Sequence, residues 1–131
     1  MMEATRVAKT IFVVEDDDDI ARLISHNLEV AGFLVRRFSW AIPVVSEAEK
    51  RPPALFLVDL MLPDMDGFQL CRNIRQNTVL GEVPIIILSA RTTAMERKLA
   101  HESGANDYVT KPFSLQDLIS RVEALCGSAG R

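Results

Sequence analysis

Strand-like and helix-like segments alternate along this chain and predict an α/β domain. The expected architecture is a doubly wound, five-stranded parallel sheet in the order 2-1-3-4-5, with helices on both faces. Three observations lead there. Runs at 11–14, 55–58 and 85–88 are continuously apolar, as strands covered on both faces should be. Helical periodicity fills the gaps between strand candidates. Four strand candidates also end in residues that carry chemistry: Glu15-Asp16, Asp59, Ser89 and Lys111. In an open parallel sheet such ends lie side by side, and the crevice outside them is where ligands bind. Setting Asp16 beside Asp59 requires strands one and three to be neighbours with strand two outside, which gives the order.

The first strand is expected over 10–15. A helix over 18–30 follows, with Ile20, Leu23, Ile24 and Leu28 at helical spacing and Gly32 as its stop. The strand at 33–37, Phe33-Leu34-Val35-Arg36-Arg37, is mixed and suits a sheet edge, where charge blunts unwanted pairing. The helix at 40–50 is weakly patterned, and Pro43 is tolerable only in its first turn. The strand at 55–59 delivers Asp59 to the turn Leu60-Met61-Leu62-Pro63-Asp64-Met65-Asp66-Gly67. A helix over 67–76 carries Phe68, Leu70, Cys71 and Ile74. The strand at 84–89 ends on Ser89, and the helix at 93–103 is stopped by Gly104. The last strand, 106–110, runs into Lys111-Pro112. The last helix, 114–126, opens on Ser114-Leu115-Gln116-Asp117, a capping-box-like start whose acid is Asp117. These elements form one domain over 10–126, with 1–9 as a flexible lead-in and 127–131 as a tail.

The 131 residues are enough for one well-buried core, and 48% hydrophobic with 25% charged is an ordinary soluble composition. A net charge of −3 lacks the basic footprint of a nucleic-acid binder. The acids are concentrated: Glu15 to Asp19 places five in a row, which favours a cation site over an anion site. For Asp17, Asp18 and Asp19 there is a plainer account, since acids in a first helical turn favour the macrodipole and cap free N–H groups. The two cysteines have no metal-type spacing and form no disulfide framework, which points to a reduced, cytoplasmic setting. No apolar stretch reaches the roughly 20 residues needed to span a bilayer. His26 and His101 fall on helices outside any metal spacing and are expected at the surface, and Trp40 is either a packing residue or a partner contact.

Four blocks carry a resemblance. They are Ile11-Phe12-Val13-Val14-Glu15-Asp16-Asp17, Asp59 through Gly67, Pro84-Ile85-Ile86-Ile87-Leu88-Ser89-Ala90, and Gly104 through Phe113. In this order and spacing they resemble the receiver domain of bacterial two-component response regulators, from Thr10 to about Cys126. The resemblance implies a flavodoxin-like fold and a phosphorylation-dependent signalling switch that is a phosphoacceptor rather than an enzyme, supporting its own phosphoryl transfer and slow autodephosphorylation. By this resemblance Asp59 accepts a phosphoryl group from a sensor histidine kinase or phosphotransfer protein. Glu15, Asp16, Asp59 and the backbone carbonyl of Met61 hold Mg2+, with Mn2+ as a substitute. Lys111 pairs with a phosphoryl oxygen, and the Lys111-Pro112 bond is cis. The hydroxyl of Ser89 moves to the phosphoryl group, and Tyr108 turns inward with it. Met61 and Arg91 stand where the family tunes dephosphorylation.

The face carrying Arg97, Asp107, Asp117 and Arg121 resembles one through which phosphorylated regulators form homodimers, although Asn106 replaces an acid common there. No direct nucleic-acid or membrane binding by this chain is expected. The alternative is a receiver-like module that binds proteins without phosphorylation; degenerate receivers of that kind lose an acid, the acceptor or the lysine, and all are present here. A hydrolase of the haloacid dehalogenase type would need a second Asp two places after Asp59, where Met61 stands. A nucleotide site would need a Gly-rich loop after the first strand, where this chain has Asp16-Asp17-Asp18-Asp19.

Overall fold

Successive strand residues point to opposite faces, and the apolar runs use this to build two cores at once. The computed structural model describes residues 8–129. Five strands, β1 (Thr10–Val14), β2 (Leu34–Phe38), β3 (Leu55–Asp59), β4 (Ile85–Ser89) and β5 (Asp107–Thr110), alternate with five helices. The helices are α1 (Asp18–Val30), α2 (Val44–Lys50), α3 (Gly67–Gln76), α4 (Ala94–Ser103) and α5 (Leu115–Cys126). All pairings are parallel and the order is β2-β1-β3-β4-β5, as predicted, so β2 is an edge. Phe12, Val14, Phe56, Val58, Ile85 and Ile87 face α2, α3 and α4. Ile11, Val13, Leu55, Leu57, Ile86 and Leu88 face α1 and α5. The strand residues of both sets are fully buried.

Of the predicted lead-in, residues 1–7 lie outside the described residues; so do 130 and 131 of the predicted tail. Ala129 packs on the α1/α5 core, and the Lys9 ammonium donates to the Cys126 carbonyl at 2.5 Å, tying the residue before β1 to the end of α5.

Several local details depart from expectation. α2 begins at Val44, not at residue 40. The preceding backbone is held instead by Asp64, whose carboxylate accepts from the N–H groups of Ala41 (2.9 Å) and Ile42 (2.8 Å). Burial, the largest single influence on Asp64, pushes its carboxyl up, but the backbone N–H bonds together outweigh it and hold the carboxyl below the usual range. Ser114 accepts from the Asp117 N–H at 3.1 Å, but Asp117 does not complete the box; its carboxylate meets Arg121 Nε at 2.8 Å. The charge on β2 also has a packing role, since Arg36 lies over the rings of Phe12 (5.4 Å) and Phe38 (5.1 Å).

Asn106 is not part of the charged face. It joins a knot around Arg75 at the opposite, N-terminal edge of β4. Arg75 donates from Nε to the Gly104 carbonyl (2.9 Å), from Nη1 to those of Gly81 (3.2 Å) and Val83 (2.6 Å), and from Nη2 to Asn106 Oδ1 (2.8 Å). Asn106 Oδ1 also accepts from the Ile85 N–H at 2.8 Å. One side chain on α3 thus satisfies carbonyls in two loops, and Gly104 leaves it room, because a Cβ there would fall 2.6 Å from Arg75 Cγ. Hydrogen bonds from a charged donor are worth about 1.5–3 kcal/mol each when lost. Arg75→Ala should therefore lower the unfolding free energy by about 2–4 kcal/mol in urea titration, whereas Arg72→Ala, exposed on the same helix, should stay within about 0.5 kcal/mol of wild type. Equal effects would remove the knot from the account.

Candidate functional site at the carboxyl ends of the strands

Ladder hydrogen bonds continue just past the strands and fix the residues that follow them. Glu15 N–H donates to the Phe38 carbonyl (2.9 Å), Leu60 N–H to Leu88 (2.9 Å), and Lys111 N–H to Ser89 (2.7 Å). The backbones of Glu15, Leu60 and Lys111 are thereby set by the sheet rather than by loops. Gly67 closes the turn after Asp59. Its N–H donates to the Leu60 carbonyl at 2.7 Å, and a Cβ there would sit 2.8 Å from the Asp59 carbonyl oxygen, so the start of α3 can approach this strand end only without a side chain. Asp66 caps α3 by accepting from the Gln69 N–H at 2.8 Å. The acids after Asp59 are therefore structural: Asp64 pins the β2–α2 loop and Asp66 caps a helix.

Three predicted residues converge. Lys111 Nζ lies 2.9 Å from Glu15 Oε1 and 3.2 Å from Asp59 Oδ1. Glu15 and Asp59 are buried, at 2% and 6% exposure, so the lysine bridges two carboxylates largely withdrawn from water. Asp16 is exposed at the rim, and one carboxylate oxygen from each of Glu15, Asp16 and Asp59 can be chosen so that all lie within 4.8 Å of one another. Burial is the largest influence on Glu15 and raises its carboxyl to about 7; the Lys111 hydrogen bond and the Asp17 N–H pull it down, and the Asp59 charge pushes it up further. For Lys111 burial favours the neutral amine, but contacts with Glu15 and Asp59 outweigh it and hold the ammonium above its ordinary value. The Lys111-Pro112 bond is cis.

An all-oxygen, acidic set of this spread fits a hard divalent cation. Mg2+ takes oxygen ligands at about 2.0–2.1 Å in an octahedron and keeps several waters, so some of these carboxylates can bind directly and others through water. Asp17 plays a different part, accepting from the N–H groups of Asp19 (3.0 Å) and Ile20 (3.1 Å) as the N-cap of α1. Asp18 and Asp19 are exposed beside Arg37 (3.9 Å) and Arg22 (3.2 Å).

Ser89 is buried at the end of β4, and its Oγ accepts from the Arg91 N–H at 3.0 Å. Tyr108 is 9% exposed; its hydroxyl donates to the Arg91 carbonyl at 2.8 Å, and Arg97 lies 5.2 Å from the ring centroid. Met61 pairs with Asp66 in an isolated antiparallel bridge and presents an exposed side chain. With Asp16, Phe68, Arg91, Glu96 and Leu99 it lines an open groove of about 460 Å³ beside the acids.

On the face of α4, β5 and α5, the Arg121 guanidinium is already engaged within the chain. Nη1 meets both oxygens of Asp107 at 2.9 Å, and Nε meets Asp117. A second copy would have to compete with these contacts. Arg97 instead donates to Thr110 Oγ1 at 3.3 Å. His26 and His101 are exposed, and Trp40, at 56% exposure, is no core packing residue. Among the described residues, no helix is long and apolar enough to cross a membrane.

Sequence reading passed over Glu96. Its carboxylate accepts from Thr93 Oγ1 (2.7 Å) and from Arg91 Nη1 (3.0 Å), while Thr93 Oγ1 accepts from the Glu96 N–H (3.2 Å). The signal was present as Thr93-Ala94-Met95-Glu96, a capping-box spacing.

Comparison with known proteins agrees with this geometry. The family model for the response regulator receiver domain matches residues 11–123. Transcriptional regulatory protein GltR of Pseudomonas aeruginosa is 40% identical over 89% of this chain and 48% of its own length. Transcriptional regulatory protein CreB of Escherichia coli is 38% identical over 89% of the chain and 50% of its own length. The chain thus spans about half the length of these curated relatives. The crystal structure of a putative response regulator from Chloroflexus aurantiacus superimposes with a TM-score of 0.87 at 33% identity, covering 92% of this chain and 98% of that one. The receiver domain of sensor histidine kinase PA1611 from Pseudomonas aeruginosa, solved with a magnesium ion coordinated in its active-site cleft, gives 0.85 at 31% identity over 93% of this chain and 100% of that one. With the match running through all five strands and all three converging residues, the chain belongs to the receiver domain family of bacterial two-component response regulators.

Proposed function

We propose that this chain is a phosphorylation-dependent signalling switch whose phosphoacceptor is Asp59 and whose donor is a phosphohistidine on a sensor histidine kinase or phosphotransfer protein. The observation that carries this reading is the Glu15–Lys111–Asp59 bridge: the buried Asp59 carboxylate ends the central strand, with the Lys111 ammonium at 3.2 Å and two further acids, buried Glu15 and exposed Asp16, beside it. A carboxylate is a weak nucleophile, so catalysis here means positioning and charge neutralisation. An Asp59 oxygen attacks phosphorus, the O–P bond forms as the donor N–P bond breaks, and the electron pair leaves on the imidazole nitrogen. Lys111 offsets charge on the transferred oxygens. Ser89 Oγ accepts from Arg91 and keeps its own proton to donate to a phosphoryl oxygen, and Tyr108 reads that movement through the same Arg91 peptide. Asp16, Asp59 and the Met61 carbonyl, with Glu15 through water, would hold Mg2+ or Mn2+. When bound, the cation supplies positive charge to the crowded carboxylates and to the transferred oxygens. The altered Ser89/Tyr108 surface then controls an output domain or partner.

Treated with acetyl phosphate and Mg2+, the protein should gain the mass of one phosphate, and both Asp59→Asn and chelator should abolish the gain. Labelling that survives either would contradict the assignment. The phosphorylated form should last minutes, because neither the Met61 thioether nor the Arg91 guanidinium can take a proton from attacking water. A half-life of seconds after donor removal would show that water is activated by another route.

Glu15 gives a pH signature. Its folded-state carboxyl is raised from 4.5 to about 7, so its contribution to stability is full below about pH 4.5 and is lost as pH rises through about 7. At about 1.4 kcal/mol per pKa unit the loss is about 3–4 kcal/mol. In chelator, wild type should fall relative to Glu15→Gln by that amount between about pH 4.5 and 7.5, and millimolar Mg2+ should recover most of it, since a ligand of the folded state stabilises by mass action. Parallel pH profiles for the two proteins would contradict this assignment.

A further inference from the structure

The loop from β4 to α4 carries both halves of the Ser89/Tyr108 relation on one peptide unit. Arg91 gives its N–H to Ser89 Oγ and its carbonyl to the Tyr108 hydroxyl, at 3.0 and 2.8 Å. Residues 90–93 lie outside regular structure and are exposed, so apolar packing does not hold this peptide. What holds it is the far end of the same residue. Arg91 Nη1 meets Glu96 Oε2 at 3.0 Å, and the other Glu96 oxygen accepts from Thr93, the N-cap of α4. The Glu96 side chain is only 12% exposed while that of Arg91 is 57% exposed. The Thr93 hydrogen bond, with the Arg91 contact, holds Glu96 below its ordinary pKa, so it is charged at neutral pH. α4 buries only Ala100 and Ser103 and exposes Met95 and Leu99, so it is lightly anchored to the core.

We propose that Glu96 is a positioning residue for the switch: by clasping the Arg91 guanidinium it fixes the Arg91 peptide between Ser89 and Tyr108, and so holds Tyr108 inward before any phosphoryl group arrives. The consequence for phosphorylation rests on the phosphoacceptor reading; the clasp itself does not. An isolated exposed ion pair contributes little to global stability. It can still govern a local equilibrium between two loop states, because a small differential interaction shifts populations several-fold when those states are close in free energy. Holding Tyr108 inward pre-pays part of the rearrangement, so the apparent affinity for a phosphoryl group or its mimic rises with the inward fraction.

Tyr108 is the chain's only tyrosine, so 3-fluorotyrosine incorporation yields one 19F signal. In Mg2+ without a phosphodonor, wild type should show a shielded ring, with a small solvent isotope shift and weak relaxation by a soluble gadolinium chelate. Glu96→Gln should raise both responses at least ~2-fold, as should Arg91→Ala, and the double variant should not exceed Arg91→Ala, because both changes break one contact. Thr93→Ala removes the helix cap but leaves the Arg91 clasp, so it should leave Tyr108 shielded; circular dichroism checks that each variant folds. Beryllofluoride affinity should fall several-fold in Glu96→Gln. The proposal is overturned by a Tyr108 as shielded in Glu96→Gln as in wild type, by additive effects of the two changes, or by Thr93→Ala reproducing Glu96→Gln. Intact-mass labelling of the same samples separates the two readings. If wild type takes no phosphate but Glu96→Gln exposes Tyr108, the clasp stands and the phosphoacceptor reading falls. If wild type is labelled and Tyr108 does not respond, the clasp falls alone.

Discussion

The ammonium of Lys111 between Glu15 and Asp59 is the contact on which the remaining site features depend. Two buried carboxylates beside each other would repel and lose hydration, and an unpaired buried charge is costly. The lysine offers both a partner, at 2.9 and 3.2 Å. Burial still pushes the Glu15 carboxyl up to about 7 against the pull of Lys111, so one lysine does not fully offset the cost of burying this acid beside Asp59. With exposed Asp16 beside the pair, the result is an acidic, all-oxygen set that fits a further hard cation. A fully satisfied network would be stable and chemically idle.

Placing those three side chains is the work of the sheet. They come from β1, β3 and the end of β5, and ladder bonds run on to Glu15, Leu60 and Lys111. The loops around them are pinned by devices of their own. Asp64 ties the β2–α2 loop to the turn after Asp59, and Gly67 lets α3 start against the Asp59 carbonyl. The β4–α4 loop differs, since it is held by polar contacts of Arg91 and Glu96 and leads into the lightly anchored α4. A carboxylate set by the sheet beside a polar-fastened loop is an arrangement that can convert a change in local charge into movement of one surface.

How much of this was legible in the sequence follows from the range of each interaction. β3 at 55–59, α1 at 18–30 and α3 at 67–76 match their predicted bounds, because an apolar run or a helical period bracketed by caps and stops is local information. The converging acids and lysine were legible because each terminates such a run. α2 was drawn four residues too long because the constraint on Ala41 and Ile42 comes from Asp64, more than twenty residues away. Arg75 looked like an ordinary helix residue and Asn106 like the first residue of the last strand on the charged face, and their knot exists only once α3 meets the ends of two loops. Glu96 had a local signature as a capping acid, but its hold on Arg91 depends on the path of the loop.

The central claim concerns one atom, an Asp59 carboxylate oxygen that becomes phosphorylated. Borohydride converts an aspartyl phosphate to homoserine by reducing the activated carbonyl and releasing phosphate, and it leaves free carboxylates untouched. The protein should therefore be phosphorylated in Mg2+, reduced, digested and sequenced by tandem mass spectrometry. The account predicts homoserine at position 59 and at no other acidic position, with Glu15, Asp16, Asp64 and Asp66 recovered intact. Homoserine at any of the other aspartates, or none anywhere after confirmed phosphate uptake, would contradict it.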